Sequence, residues 1–288
     1  MEEWRQIVTA DSRASLDDIR AFHAKMMAAA SNSVDERLER AFRQVPREAF
    51  MGPGPWQIVV KGRYLETPSS DPAFLYQNVL VSLDRSKGIN NGEPFLHAAF
   101  LGAVAPKPGE TVVQIGTGTG YYTAILSTLV TPGGHVHAIE IDEVLAGRTR
   151  DNLASYKDVS VICADATSFE LPDADLIYVS AGVVAPPKSW LQALRPGGRL
   201  IVPWQANERV GLAVIITRED TGFSARALMP AYFIPCIGAS DPMQSAKIPN
   251  GGEARSIRSV WLTQERAPDE TAVAIYRDLW FSNVGLGI

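Results

Sequence analysis

A doubly wound α/β fold on a mostly parallel sheet is what this sequence predicts, on three observations. From Thr111 onward, short apolar runs alternate with helix-like segments, which implies parallel strands joined by right-handed helical crossovers. The first run, TVVQI, passes directly into GTGTG, so Gly116, Gly118 and Gly120 stand at alternate positions before a helical pattern resumes. Glycine loses the most backbone entropy on folding, so this turn must need bare backbone, as it does where a ligand lies beyond the carboxyl end of a strand. After Trp204 the alternation stops, and VGLAVIITRE and FSARALMPAYFIPC, joined by DTG, fit an antiparallel hairpin at one sheet edge.

SLDDIRAFHAKMMAAA and SVDERLERAFRQVPREAF read as helices, with Ser15 and Ser33 as N-caps before acidic first turns. From about Gly52 to Gly92 the prolines at 53, 55, 68 and 72 mark loop, with QNVLVSLD as one short strand, and a helix starts near Pro94 in PFLHAAFLGAV. The sheet strands are TVVQI, HVHAIEI, VSVICA, ADLIYVSA and GRLIVPW, with YYTAILSTLV, EVLAGRTRDNLASY and PKSWLQAL as helices between them. From Ser256 the chain reads as a strand and then a helix starting near Pro268, so helical extensions flank the sheet at both ends. Trp4, Trp261 and Trp280 are expected to pack the terminal segments onto the body. The organisation expected is an N-terminal helical and substrate-side segment (1–92), a core (93–237) and a C-terminal extension packed on it (238–288).

With 46% hydrophobic and 20% charged residues, the 288-residue chain can bury a large core. A net charge of −5 argues against a nucleic-acid partner, because neutralising phosphates needs basic surface. No apolar run approaches the roughly 20 residues that span a bilayer, and MEEWRQIVTADSR lacks the apolar stretch of a secretory signal, so a cytoplasmic protein is expected. Cys163 and Cys236 read as buried thiols, and no metal-ligand spacing is visible.

The glycine spacing selects the ligand. A dinucleotide loop needs G-x-G-x-x-G, and Tyr121 stands where its third glycine would be, which argues against a nicotinamide oxidoreductase. The G-x-G-x-G loop, Gly116-Thr117-Gly118-Thr119-Gly120, resembles the S-adenosylmethionine (SAM) loop of class I methyltransferases, Rossmann-like enzymes whose product is S-adenosyl-L-homocysteine. Glu140, 20 residues past Gly120 at the end of the next strand, is placed to accept both ribose hydroxyls, with Ile141 beside it. Asp165 ends the third strand and can accept the adenine amino group, with the Ala166 N–H next to it. Each also has a plainer reading, as a solvated strand end or a turn cap.

Beyond the cofactor half, the chain resembles the protein-L-isoaspartate O-methyltransferases. FRQVPREAF, EPFLHAAFLGAVAPKPGETVVQIGTGTGYYTAIL and PAYFIPCIG carry the resemblance, which runs from about Val34 to Ile237. It implies a mostly parallel seven-stranded sheet and methyl transfer from SAM to a carboxylate of a peptide or protein, the first step in repairing isoaspartyl damage. Two departures bear on the site. Gln114 replaces the family's acid before the first glycine, and Gly92, after Asn90 and Asn91, replaces the family's substrate-side serine. Poor activity on standard isoaspartyl peptides is therefore expected, and Gly92→Ser would raise it if the site keeps that shape.

A carboxylate is ionised at pH 7, so its methylation needs positioning rather than a general base. His97 is the one base candidate, with a packing role as its alternative. Asn91 can bond a peptide or stand in an Asn-Gly turn. Ser180, Ala181 and Gly182 end the fourth strand over the expected acceptor position. A different small-molecule acceptor and a non-catalytic SAM-binding role both stay open, and the oligomeric state is undetermined by sequence.

Overall fold

The computed structural model describes residues 14–287 except 242 and 244; Trp4 and the acidic N-terminal stretch lie outside the described residues. Helix α1 (Leu16–Ser31) begins where expected: Ser15 caps it, accepting from Asp18 N at 3.1 Å, while the Asp18 carboxylate takes the Ser15 N–H in return. Helix α2 (Glu36–Gln44) is capped by Asp35, not by Ser33. The carboxylate accepts from Arg37 N at 2.9 Å and also holds the Arg37 guanidinium, whereas the Ser33 hydroxyl takes the N–H of Asp35.

The stretch read as loop contains a four-stranded antiparallel sheet: β1 (Gln57–Val60), β2 (Arg63–Glu66), β3 (Leu80–Asp84) and β4 (Ile89–Asn90), in the order β2-β1-β3-β4. Strand β3 lies in QNVLVSLD, as expected, and the other three, two to four residues long, are too short to stand out as periodicity between prolines. Helix α3 (Pro94–Val104) starts at its N1 proline.

The main sheet uses β5 (Thr111–Ile115), β6 (His135–Glu140), β7 (Val159–Cys163), β8 (Ala174–Val179) and β9 (Leu194–Asn207) as parallel strands, ordered β7-β6-β5-β8-β9. Between them come α4 (Tyr121–Val130), α5 (Glu143–Asn152) and the short α6 (Lys188–Gln192). The predicted edge hairpin is β10 (Val210–Glu219) with β11 (Gly222–Pro230). It is not the edge, because the C-terminal segment continues the same sheet. The chain adds β12 (Ser245–Lys247), helix α7 (Gly251–Arg255), β13 (Ser259–Leu262), β14 (Ala272–Tyr276) and β15 (Leu279–Ser282), and the sheet reaches eleven strands by continuing β11-β13-β15-β14-β12.

The expected seven-stranded sheet is therefore an eleven-stranded mixed one, and the expected C-terminal helix is a hairpin. Almost every residue of β14 and β15 is buried, so neither strand shows an alternation, and the two short apolar runs on either side of Arg277 and Asp278 do not separate strand from helix by periodicity. Trp280 is fully buried there, as expected, and donates to Arg266 O at 2.9 Å, while Arg266 lies over the half-buried Trp261 ring at 4.5 Å.

Alternate residues of each parallel strand feed two cores. Val113, Ile115, Ile177 and Val179 pack with Trp190, Trp204 and the C-terminal strands; Val112, Leu176 and Tyr178 pack with α1 to α4. Cys236 is buried, but Cys163 is exposed, because it ends β7 and β7 is the outer strand of the sheet.

Candidate active site

The chain runs β5, β6, β7 outward in one direction and then returns to β8 on the other side of β5. Such a reversal opens a crevice beyond the strand ends, because the two connections leave in opposite directions. A cleft lies there.

One wall is the glycine turn. Gly116, Gly118 and Gly120 all sit at positive φ, +77°, +61° and +92°, where any other residue is strained. Thr149 Oγ1 donates to Gly118 O at 2.8 Å and Asn152 Nδ2 to Thr119 O at 2.9 Å, so α5 holds the turn by its carbonyls. The Gly118 N–H donates to Glu140 Oε2 at 2.8 Å. Burial pushes the Glu140 carboxyl up, with the N–H groups of Asp142 and Gly118 opposing it. Gln114 is buried, and Thr123 Oγ1 donates to its Oε1 at 2.6 Å. That bond turns the other end of the amide, a donor, away from Thr123 on a residue that lines the cleft. Helix α4 starts at Gly120 with no side-chain cap, leaving its first N–H groups to an anionic ligand group. Strand β3 covers this wall, with Leu80 and Leu83 lining the cleft and Lys87 paired to Asp142.

The other wall is assembled from distant segments. Arg47, fully buried, donates from Nη1 to Leu75 O and from Nη2 to Val79 O at 2.8 Å and Asn91 Oδ1 at 2.6 Å. Among the described residues no carboxylate pairs with it. Asn90 Oδ1 accepts the Gly92 N–H at 2.9 Å, closing a turn in which Gly92 has φ +81°. His97 is buried, stacks on Tyr122 with ring centroids 3.6 Å apart, and its Nδ1 lies 2.8 Å from Tyr178 Oη. Burial, with the Arg47 charge nearby, pushes His97 down to about 3, so it is neutral at physiological pH. Ser180, Tyr232, Phe233 and Ile234 complete this side.

The structure thus brings Asn90, Asn91, Gly92, His97, Gln114, Gly116, Thr117, Gly118 and Ser180 to one cleft. Gly120 stands behind the turn, where a Cβ would lie 2.9 Å from Leu153. Glu140 meets the cleft through Gly118, and Ile141 is exposed at the strand end beside it. Asp165 caps its own turn, its Oδ1 accepting from Thr167 N at 2.9 Å, and Ala166 O accepts from Trp190 Nε1. Ala181 and Gly182 are not among the residues that line the cleft. Gly182 exchanges backbone bonds with Ile234 and Cys236, and a Cβ there would collide with Gln205. Sequence reasoning missed Thr149, Asn152, Leu83 and Phe233; nothing local marks them, because each reaches the site through tertiary packing. Among the described residues, no group of three or more metal-ligating side chains is gathered.

A crevice at the strand reversal, read by bare backbone and by one acid at the end of the second strand, is the design of the class I SAM-dependent methyltransferases, and this chain is one of them. Residues 23–241 match the model of the family described as protein-L-isoaspartate(D-aspartate) O-methyltransferase, and the chain belongs to that family. It is 32% identical over 194 residues to the protein-L-isoaspartate O-methyltransferase of Aeropyrum pernix, covering 63% of this chain and 75% of that one. It is 32% identical over 206 residues to that of Ignicoccus hospitalis, covering 70% and 89%. In fold it is similar to a solved protein-L-isoaspartate O-methyltransferase, with TM-score 0.66 at 20% identity over 91% of this chain and 86% of that one. A Plasmodium falciparum structure assigned to the same enzyme, in complex with S-adenosyl-L-homocysteine, gives TM-score 0.61 at 18% identity over 75% and 97%.

Proposed function

We propose that the chain methylates the free carboxylate of an isoaspartyl residue in a peptide or protein. The observation that carries this reading, in a chain of this family, is an acceptor wall whose one histidine is a poor proton acceptor: His97 is pushed down to about 3 by burial, stacked on Tyr122 and tied to Tyr178. SAM supplies a methyl group on a sulfonium. An acceptor carboxyl with an ordinary pKa near 4 arrives ionised, so the chain has no proton to remove. Its residues position and desolvate instead. Gly116 to Gly120 bring bare backbone, and Glu140 a carboxylate, to the cofactor side, and Asn91, fixed by Arg47, shapes the acceptor side. An alcohol or phenol acceptor would need a base that this wall does not offer.

Asp165 and Ala166 at the adenine end and Ile141 beside the ribose remain part of this reading, as does the division at 92 and 237. Both cysteines are free, which fits a reducing compartment; no helix of the described residues is long and apolar enough to cross a membrane. The test is transfer from labelled SAM to an isoaspartyl hexapeptide, its aspartyl isomer and a panel of small carboxylates. Base-labile label on the isoaspartyl peptide alone is expected. No label on that peptide, from protein that binds SAM, would sink the isoaspartyl assignment.

A further inference from the structure

The acceptor wall presents several polar groups, and the side-chain oxygens of its two asparagines and one ring nitrogen of its histidine are already committed. Asn91 Oδ1 holds Arg47, and its N–H donates to Val81 O at 2.9 Å. Asn90 Oδ1 holds the Gly92 N–H, which removes that N–H from any acceptor. His97 Nδ1 holds Tyr178. Gly92 has no side chain and no room for one, since a Cβ would fall 2.8 Å from His97 Cδ2 and closer still to Nε2.

Ser180 is different. Its Oγ is buried and makes no hydrogen bond, although the residue lines the cleft. A buried hydroxyl without a partner is unfavourable, and native structures seldom leave one unless a ligand or water completes it. Two other cleft residues, Thr119 and Tyr121, also carry unpaired hydroxyls. Thr119 belongs to the glycine turn. The Tyr121 ring packs against Phe50 at 5.7 Å and near the Arg47 guanidinium, in the core behind the cleft. Ser180 stands where the two walls meet. Its N–H donates to Ile115 O at 2.8 Å, and its carbonyl lies 3.4 Å from where a Gly116 Cβ would be. The next residue but one, Gly182, is fixed to Ile234 on the acceptor side.

We infer that Ser180 Oγ–H is the hydrogen-bond donor that orients the acceptor carboxylate for methyl transfer. A hydroxyl suits this task, because it donates to one carboxylate oxygen and leaves the other free to attack. The inference rests on the isoaspartyl reading above, and one experiment separates the two. Wild type, Ser180→Ala and Ser180→Thr are assayed for kcat/KM on an isoaspartyl hexapeptide, and for binding of SAM and S-adenosyl-L-homocysteine by calorimetry. Ser180→Ala is expected to lower kcat/KM by roughly ten- to hundred-fold, the range for an unmade bond to a charged group. Both cofactor dissociation constants should stay within about twofold, which also shows that the fold is intact, and Ser180→Thr should recover most of the loss. An active wild type with unchanged Ser180→Ala overturns this assignment and leaves the isoaspartyl reading standing. A parallel loss of SAM affinity overturns it as well, by placing the hydroxyl on the cofactor. A wild type that binds SAM but never labels the peptide overturns both.

Discussion

The two walls of the cleft are built on opposite plans. The cofactor wall is nearly continuous in sequence, from Gln114 to Tyr122, and it works through backbone: three positive-φ glycines, an amide on Glu140, and the open N-terminus of α4. The acceptor wall draws on Arg47, Asn90 to Gly92, His97, Ser180 and Tyr232 to Ile234, and it works through side chains locked to one another. A backbone site tolerates little change at its glycines and much around them. A side-chain site can exchange its members, provided the buried groups stay paired. The larger sensitivity to folding should therefore lie on the acceptor side, and the larger sensitivity to ligand affinity on the cofactor side.

Arg47→Ala is the severest break. It strands the carbonyls of Leu75 and Val79 and the side chain of Asn91, so unfolding free energy should drop by about 3–5 kcal/mol, read from urea midpoints. A drop below about 1 kcal/mol would show that the acceptor wall does not depend on this cation. Gly118→Val should cost at least roughly 3 kcal/mol in SAM affinity by calorimetry, because φ +61° strains a β-branched residue and its side chain enters the cleft. Undiminished affinity in a folded variant would remove the turn from the cofactor site. Glu140→Ala should weaken SAM by roughly 1.5–3 kcal/mol, the range for bonds to a charged group, and an unchanged dissociation constant would leave Glu140 as a cap for Gly118 alone.

Gly92→Ser sharpens the contrast. From sequence it looks like a restored hydroxyl; in the fold it combines φ +81° with a collision against His97. Activity on an isoaspartyl peptide should fall several-fold, equivalent to about 1–2 kcal/mol of strain, and a gain would mean that the His97 stack yields easily.

The remaining test is pH, which acts on both histidines at once. His97, pushed down to about 3 by burial, and His23, pushed down to about 4 by burial and by Arg47, bind fewer protons folded than unfolded, against an ordinary 6.5. Their stability is fully present above pH 6.5 and is lost as pH falls, until about 4 for His23 and about 3 for His97, at up to about 1.4 kcal/mol per pH unit each. Urea midpoints at pH 7 and pH 5.5 should differ in that direction, and equal midpoints would contradict the burial of both rings.

Sequence alone determined the parallel strands, the hairpin of β10 and β11, and the cofactor turn with its acid. Each is a local signal: strand-then-glycine spacing, an acid at a strand end, two strand-like runs around DTG. It also placed Asn90 to Gly92 and His97 on the substrate side through the resemblance, and Ser180 there as the end of the fourth strand. Only the tertiary structure decided the rest. It built the four-stranded sheet around β3, because β1, β2 and β4 are too short to show a period. It turned the segment after Pro268 into strands, because pairing with β13 buries both faces of a run that fits either period. It also set the state of each acceptor-wall residue. Whether a serine, an asparagine or a glycine is free to bind depends on which groups from other segments already hold it, and those partners lie up to 81 residues away, as Tyr178 does from His97.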